Sequence, residues 1–366
     1  MGLCLEFNVE REIEMTSAIV TQTIKEPLKK KVRDPFYDNL RLFLMFSVVF
    51  CHGLGRVVTS SPYIRAVYVL LHMFTMPCFV ILTGFFGKGM AEAGSNKRLR
   101  IINTMLLYLI VQVLKMWADG TTKTITIPLY GNWFFIGMIF WYAVLPAVKK
   151  FKPVVVFAVA LIASMIMVAY GNTVSVWQLE RAFAYFPFFL VGYYIDKAQA
   201  AVLKRQKVRL VGVAVLIVTA VITLLLRNNS PFYWSTFGDQ VYSEVGATRL
   251  GAMGLRLGWY ALATAMSFGV MCVIPRKKFF LTKIGTRTLP IFIGHTILYH
   301  YLIERTDFFT RLARFGRGYT RLAVIFVGSL VLTLILGNKW LNHVIEKFLA
   351  WDLGIFLKKS ERKKRT

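Results

Sequence analysis

Acidic residues are scarce in this 366-residue chain: 18 Asp and Glu stand against 45 Lys and Arg. Cysteine is scarcer, with four residues and no CxxC pair. That spacing supports neither a disulfide framework nor a zinc site, so no metal is expected. Cys51, Cys78 and Cys272 sit in apolar runs, where a small thiol serves as a packing residue. Polar surface is also short: 56% of residues are hydrophobic and 17% charged, too few charges to clothe a soluble domain of this length. The net charge of +27 invites a nucleic-acid reading. The basic residues are bunched at the ends of apolar spans rather than spread over a polar face, so nucleic acid is excluded as a partner. The apolar runs do not alternate with polar residues, which excludes a β-barrel. Residues 1–33 hold no apolar core of signal-peptide length, so the first apolar segment is expected to insert uncleaved.

What the chain does hold is a series of Leu/Ile/Val/Phe runs near the ~20 residues a helix needs to cross a bilayer. They fall at about 39–58, 64–87, 101–117, 132–148, 153–170, 181–196, 208–226, 255–274, 284–303 and 321–340. The expectation is an all-α polytopic membrane protein of about ten transmembrane helices. With the N-terminus inside, the richly basic segments 25–33, 88–100, 149–152, 197–209, 276–283 and the tail after 340 all fall on the cytoplasmic side. By the positive-inside rule both termini are then cytoplasmic, in a multi-pass protein of the cell membrane. The division reads as a polar N-terminal segment 1–35, a transmembrane domain 36–345 and a basic cytoplasmic tail 346–366. Segment 304–321 departs from the rule, with Arg305, Arg311, Arg314, Arg317 and Arg321 on the outer side. Either span nine re-enters, or these arginines meet an anionic glycan or lipid phosphate, or they rest on anionic headgroups.

The first span carries the clearest chemistry. Arg41 and His52 are eleven residues apart, about 20° short of or past three full turns, so they share one helix face roughly 16 Å apart along the axis. Asp38 lies within about 40° of that face. Ionisable groups inside a span are costly and point to function. His295, in span nine beyond Pro290, is either a packing histidine or lines the same cavity as His52. Trp133, Tyr142, Tyr193 and Tyr194 suit an interfacial aromatic belt at least as well as a sugar platform. The long outer loop 227–253 brings Phe232, Tyr233, Trp234, Phe237 and Tyr242, which suit either a sugar ring or the membrane surface.

Several segments, in order, match one family. Arg41-x10-His52 resembles the first-span signature of the membrane-bound acyltransferase 3 family, nearest in pattern to the fucose 4-O-acetylase-like acetyltransferases. The stretch from Met76-Pro77 to Thr83-Gly84-Phe85-Phe86 resembles its Met-Pro-Leu-Phe…Ser-Gly-Tyr-Phe segment. Lys97-Arg98-Leu99-Arg100, Asn132-Trp133-Phe134-Phe135, Phe186-Pro187-Phe188-Phe189 with Gly192, and Gly285-Thr286-Arg287-Thr288-Leu289 with His295 resemble further motifs of that family. Two positions differ: Thr75 stands where the family often has His before Met-Pro, with His72 one turn earlier, and Thr83 replaces Ser.

The resemblance implies a membrane O-acyltransferase, expected to be an O-acetyltransferase. It would move an acyl group from cytosolic acetyl-CoA or another acyl-CoA to a hydroxyl of a cell-surface or extracellular carbohydrate. Acyl-CoA would be a co-substrate, with no bound cofactor. His52, Arg41 and Asp38 would be the catalytic set. Arg41, Lys97, Arg98 and Arg100 would form a basic mouth for the phosphates of coenzyme A, although Lys97–Arg100 serve equally as a topology signal. His72, Thr83, Trp133 and His295 would line the cavity. The competing reading is a polytopic exporter of a glycan or lipid-linked sugar, disfavoured because no two related halves are visible. The sequence carries no sign of oligomeric state.

Overall fold

The computed structural model describes residues 33–91, 94–120, 125–129, 131–171, 176–238 and 240–349. Contacts divide the chain into Met1–Pro35 and Phe36–Thr366, and the helical bundle belongs to the second unit. Among the described residues, ten longer helices occupy the ten apolar segments: α1 (Pro35–Gly55), α2 (Pro62–Phe86), α3 (Gly94–Asp119), α4 (Trp133–Val148), α5 (Pro153–Tyr170), α6 (Leu179–Tyr194), α8 (Gln206–Leu226), α11 (Arg249–Val273), α12 (Thr288–Glu304) and α14 (Gly318–Leu336). Between them lie α7 (Lys197–Val202), α9 (Ser230–Ser235), α10 (Tyr242–Val245) and α13 (Phe308–Arg314), and α15 (Lys339–Leu349) follows. No strand occurs among the described residues.

Local chemistry sets many of the boundaries. Pro62 and Pro153 open α2 and α5, where a missing N–H leaves no bond unmade. Asp196 and Gln199 close a reciprocal capping box on α7. Asn229 and Thr248 accept from the Phe232 and Gly251 amides to cap α9 and α11.

Five segments are long and apolar enough to cross a membrane: Pro62–Met90, Ile101–Asp119, Pro153–Tyr170, Gln206–Leu226 and Gly318–Leu336. Helices α4 and α12 are apolar but shorter. Helices α5, α8 and α14 expose Val154, Ile162, Leu210, Ile217, Val327 and Ile335, an apolar periphery suited to lipid. By contrast α2 and α6 form the core. A Cβ on Gly84 would overlap the Phe189 carbonyl, and one on Gly192 the Ile81 carbonyl, so glycine at both positions lets the two backbones touch.

Contacts sort the connections to two ends of the bundle. At one end, Asn39 donates to the carbonyls of Pro275 and Lys277. There too Lys88 donates to the Ile195 carbonyl and Arg276 to that of Leu203. At the other end, Arg65 donates to the Arg227 carbonyl, Arg305 to those of Ala118 and Trp117, and Gly318 abuts Ser61. Helix α12 runs alongside α1 in the same direction: Gly285, just before α12, touches Asp38, His295 meets His52, and Tyr299 donates to the Val49 carbonyl. Segment 304–321 therefore lies beside the C-terminal end of α1, where Phe309 and Leu312 pack with Leu54 and Val57.

Candidate active site

His52 sits one turn before the end of α1, and His295 approaches it from the middle of α12. The Nδ1 of His295 donates to the Ile291 carbonyl at 2.6 Å, one turn back along its own helix. Its Nε2 lies 3.1 Å from Nδ1 of His52. A carbonyl only accepts, so the proton of a neutral His295 is on Nδ1, and Nε2 presents a lone pair. His52 must then donate from Nδ1, which leaves its own Nε2 as the basic nitrogen. His295 is fully buried, whereas His52 lines a cavity of about 180 Å3. Its other walls include Cys51, Arg56, Tyr68, Thr296, Tyr299 and His300.

The segment before α4 holds the ring from another side. Gly131 adopts φ +66°, a left-handed turn that glycine accepts without strain, and a side chain there would stand 3.7 Å from Cε1 of His52. A buried polar network fixes this segment. Gln112 donates to the Ile127 carbonyl at 2.7 Å and accepts from the Leu129 amide at 3.0 Å and from Asn132 Nδ2 at 2.7 Å. Lys115, fully buried, donates to Asn132 Oδ1 at 2.6 Å and to the Leu129 carbonyl at 3.3 Å. One turn further, Asp119 pairs with Nδ1 of His300, whose ring lines the His52 cavity.

The sequence-derived residues divide between the two ends. Nδ1 of His72 lies 3.2 Å from the Cys51 thiol and 3.1 Å from the Tyr68 carbonyl, beneath Phe237. It is next to the cavity without lining it. Phe232 and Tyr233 are buried in the same covering layer, while Trp234 is more exposed. Trp133 is buried and stacks on Tyr185. The Thr83 hydroxyl donates to the Phe79 carbonyl within its own helix, at 2.9 Å. Asp38 and Arg41 do not join His52. They pair with each other at 3.3 Å at the opposite end of α1, roughly 16 Å away along the axis. There Arg41 lies over the Phe86 ring at 4.3 Å, and Lys204 faces Phe36 and Tyr37 at 5.4 and 5.8 Å. Lys97, Arg98 and Arg100 fall in α3, but their side chains lie outside the described residues. Along α1 between these ends, Met45 and Val48 join Met76, Phe79, Phe134, Met138, Thr288, Leu289 and Phe292 around an apolar cavity of about 180 Å3.

Lys115, Asp119, His300 and Arg56 escape the sequence reading. The signal was present for the first two: Lys115 and Asp119 are charged residues at i,i+4 at the end of an apolar run, where charge is costly. His300 carries no signal of its own, since nothing in the sequence places Asp119 beside it. Among the described residues no group of three or more His, Cys, Asp or Glu could hold a metal ion.

A family model described as an acyltransferase domain matches residues 34–338, most of the chain. The chain belongs to the acyltransferase 3 family. No curated protein and no solved structure matches it. As an acyltransferase 3 protein with five helices able to cross a bilayer, it is a membrane acyltransferase.

Proposed function

We propose that this protein is a multi-pass O-acyltransferase of the cell membrane, with ten crossings and both termini cytoplasmic. It would carry an acyl group, acetyl in the simplest case, from cytosolic acyl-CoA to a carbohydrate hydroxyl on the far side. Family membership favours acyl transfer over sugar export. The observation that carries the mechanism is the relay from the Ile291 carbonyl through His295 to His52 at a cavity wall.

Coenzyme A would enter at the Asp38–Arg41 end, where Arg41, Lys88 and Lys204 lie among Phe36, Tyr37, Phe85 and Phe86. The apolar cavity beside Met45 and Val48 would receive the thioester arm and acyl group on the way to His52. The acceptor hydroxyl attacks the thioester carbonyl as Nε2 of His52 takes its proton. The new C–O bond forms, the C–S bond breaks, and the proton returns to the departing thiolate. The imidazolium that forms on His52 keeps its Nδ1 hydrogen bond to His295, which fixes tautomer and orientation together. His300, held by Asp119 across the cavity, would orient the acceptor hydroxyl.

The test is a His52→Ala variant reconstituted beside the wild type with labelled acetyl-CoA and a mixture of glycans. Transfer should fall at least ~10²-fold, the usual contribution of a general base, with insertion and monodispersity unchanged. Wild-type transfer by a well-folded His52→Ala protein would end this assignment.

A further inference from the structure

A second cavity, of about 420 Å3, opens beyond the imidazole cavity and shares Arg56 and Ile303 with it. Thr306, Phe309, Thr310, Ala313 and Arg314 complete its walls among the described residues. The arginines of segment 304–321 have different roles. Arg305 closes the carbonyl end of α3 by donating to Ala118 and Trp117. Arg321 donates to the Ala313 carbonyl, and Arg311 pairs with Asp307 on the surface. Arg314 instead lines the cavity, facing the same space as Arg56. Arg56 follows His52 by four residues, one turn or about 6 Å along the α1 direction.

We infer that this vestibule holds an anionic group on the acceptor, a phosphate or carboxylate gripped by Arg56 and Arg314, so that a neighbouring hydroxyl reaches His52. The inference rests on the acyl-transfer reading and names its acceptor class. Guanidinium forks match such oxyanions in geometry and stay charged at any working pH. An oxyanion beside a free hydroxyl occurs in an anionic saccharide and in a phosphatidylglycerol headgroup, and the two sources need separate arms in the test.

The full chain is placed in phosphatidylcholine nanodiscs and titrated with labelled glucose 1-phosphate and with neutral methyl glucoside. The anionic sugar should bind at least tenfold more tightly. Arg56→Gln and Arg314→Gln should each erase that preference, and Arg314→Lys, which keeps the charge without the fork, should retain part of it. Phosphatidylglycerol added to the nanodiscs and blocking the sugar phosphate assigns the site to the lipid headgroup. Undiminished binding assigns it to the saccharide. The readout is binding alone, without turnover, so a failure of the acyl-transfer mechanism leaves this measurement readable. Equal affinity for the two sugars, or full affinity in both Gln variants, overturns the inference.

Discussion

An imidazole serves as a directed base only when its other nitrogen is committed, because a ring free to change tautomer presents its lone pair to the cavity for only part of the time. Here the commitment comes from His295, itself fixed by a helix carbonyl, rather than from a carboxylate. His295 thus acts as a positioning residue, and its replacement should separate rate from binding. In His295→Phe the acceptor for His52 Nδ1 is gone. kcat should fall about 10²-fold while KM for acetyl-CoA stays within a factor of two or so, because the proposed donor mouth is at the other end of α1. His295→Gln, whose amide oxygen can again accept from His52, should recover part of the rate. Equal losses in the Phe and Gln variants would mean that His295 only fills space. At this scale the sequence was readable in part. Arg-x10-His pointed to His52, and the eleven-residue spacing already set Arg41 roughly 16 Å from it along the axis. His295 stayed open between packing and cavity lining, because no local pattern records its contact with His52.

Helices α1 and α12 carry the two imidazoles, so the register between them sets the 3.1 Å contact. That register is pinned at the far end, where Gly285 lies against the Asp38 backbone so closely that any Cβ would overlap its carbonyl oxygen. Gly285→Ala must push the start of α12 away from α1. Overpacking of this kind costs about 1–3 kcal/mol, and the shift carries along α12 to His295. The variant should unfold at lower temperature in detergent and lose transfer. Gly328→Ala, where nothing lies within 4 Å of the added carbon, should do neither. A second helix-level test concerns the apolar cavity between the two ends. Met138→Trp should fill it and reduce the use of longer acyl-CoA chains several-fold relative to acetyl-CoA. An unchanged preference would remove that cavity from the donor path. Hydrophobic runs and loop punctuation made the ten long helices legible, since each run exceeds the length of a buried core element. The short helices α9, α10 and α13 were not legible, because their aromatic and basic residues owe their helical turns to tertiary contacts that no local period records.

On the scale of the molecule, the connections segregate. Asp38, Lys88, Ile195, Leu203 and Pro275 meet at one end, whereas Arg65, Ala118, Arg227, Arg305 and Gly318 meet at the other. Five helices satisfy length and hydropathy for crossing a membrane; the proposed ten crossings require the remaining long helices to run between these two ends as well. The deficit has a physical cause. Helix α6 has only 16 residues, and α11 carries Arg256, buried and donating to the Gly238 carbonyl, a charge that lipid would not accept. Lys88, Lys204, Arg276 and Lys277 belong to the Asp38 end, and segment 304–321, whose arginines break the pattern, lies at the His52 end. Loop charge alone offers no account of that exception; Arg56 lines both the His52 cavity and the neighbouring one, where it meets Arg314. Sidedness is measurable directly. In a variant with the native cysteines replaced by Ser, single cysteines at Lys150, Lys207 and Lys278 should react with a membrane-impermeant maleimide only in inside-out vesicles. Cysteines at Asn228 and Arg317 should react only in right-side-out ones. Labelling of Arg317→Cys from the same side as Lys278→Cys would mean that α12 turns back within the membrane. The cavity beneath segment 304–321 would then face the donor rather than the acceptor, and the arginines there would belong to coenzyme A.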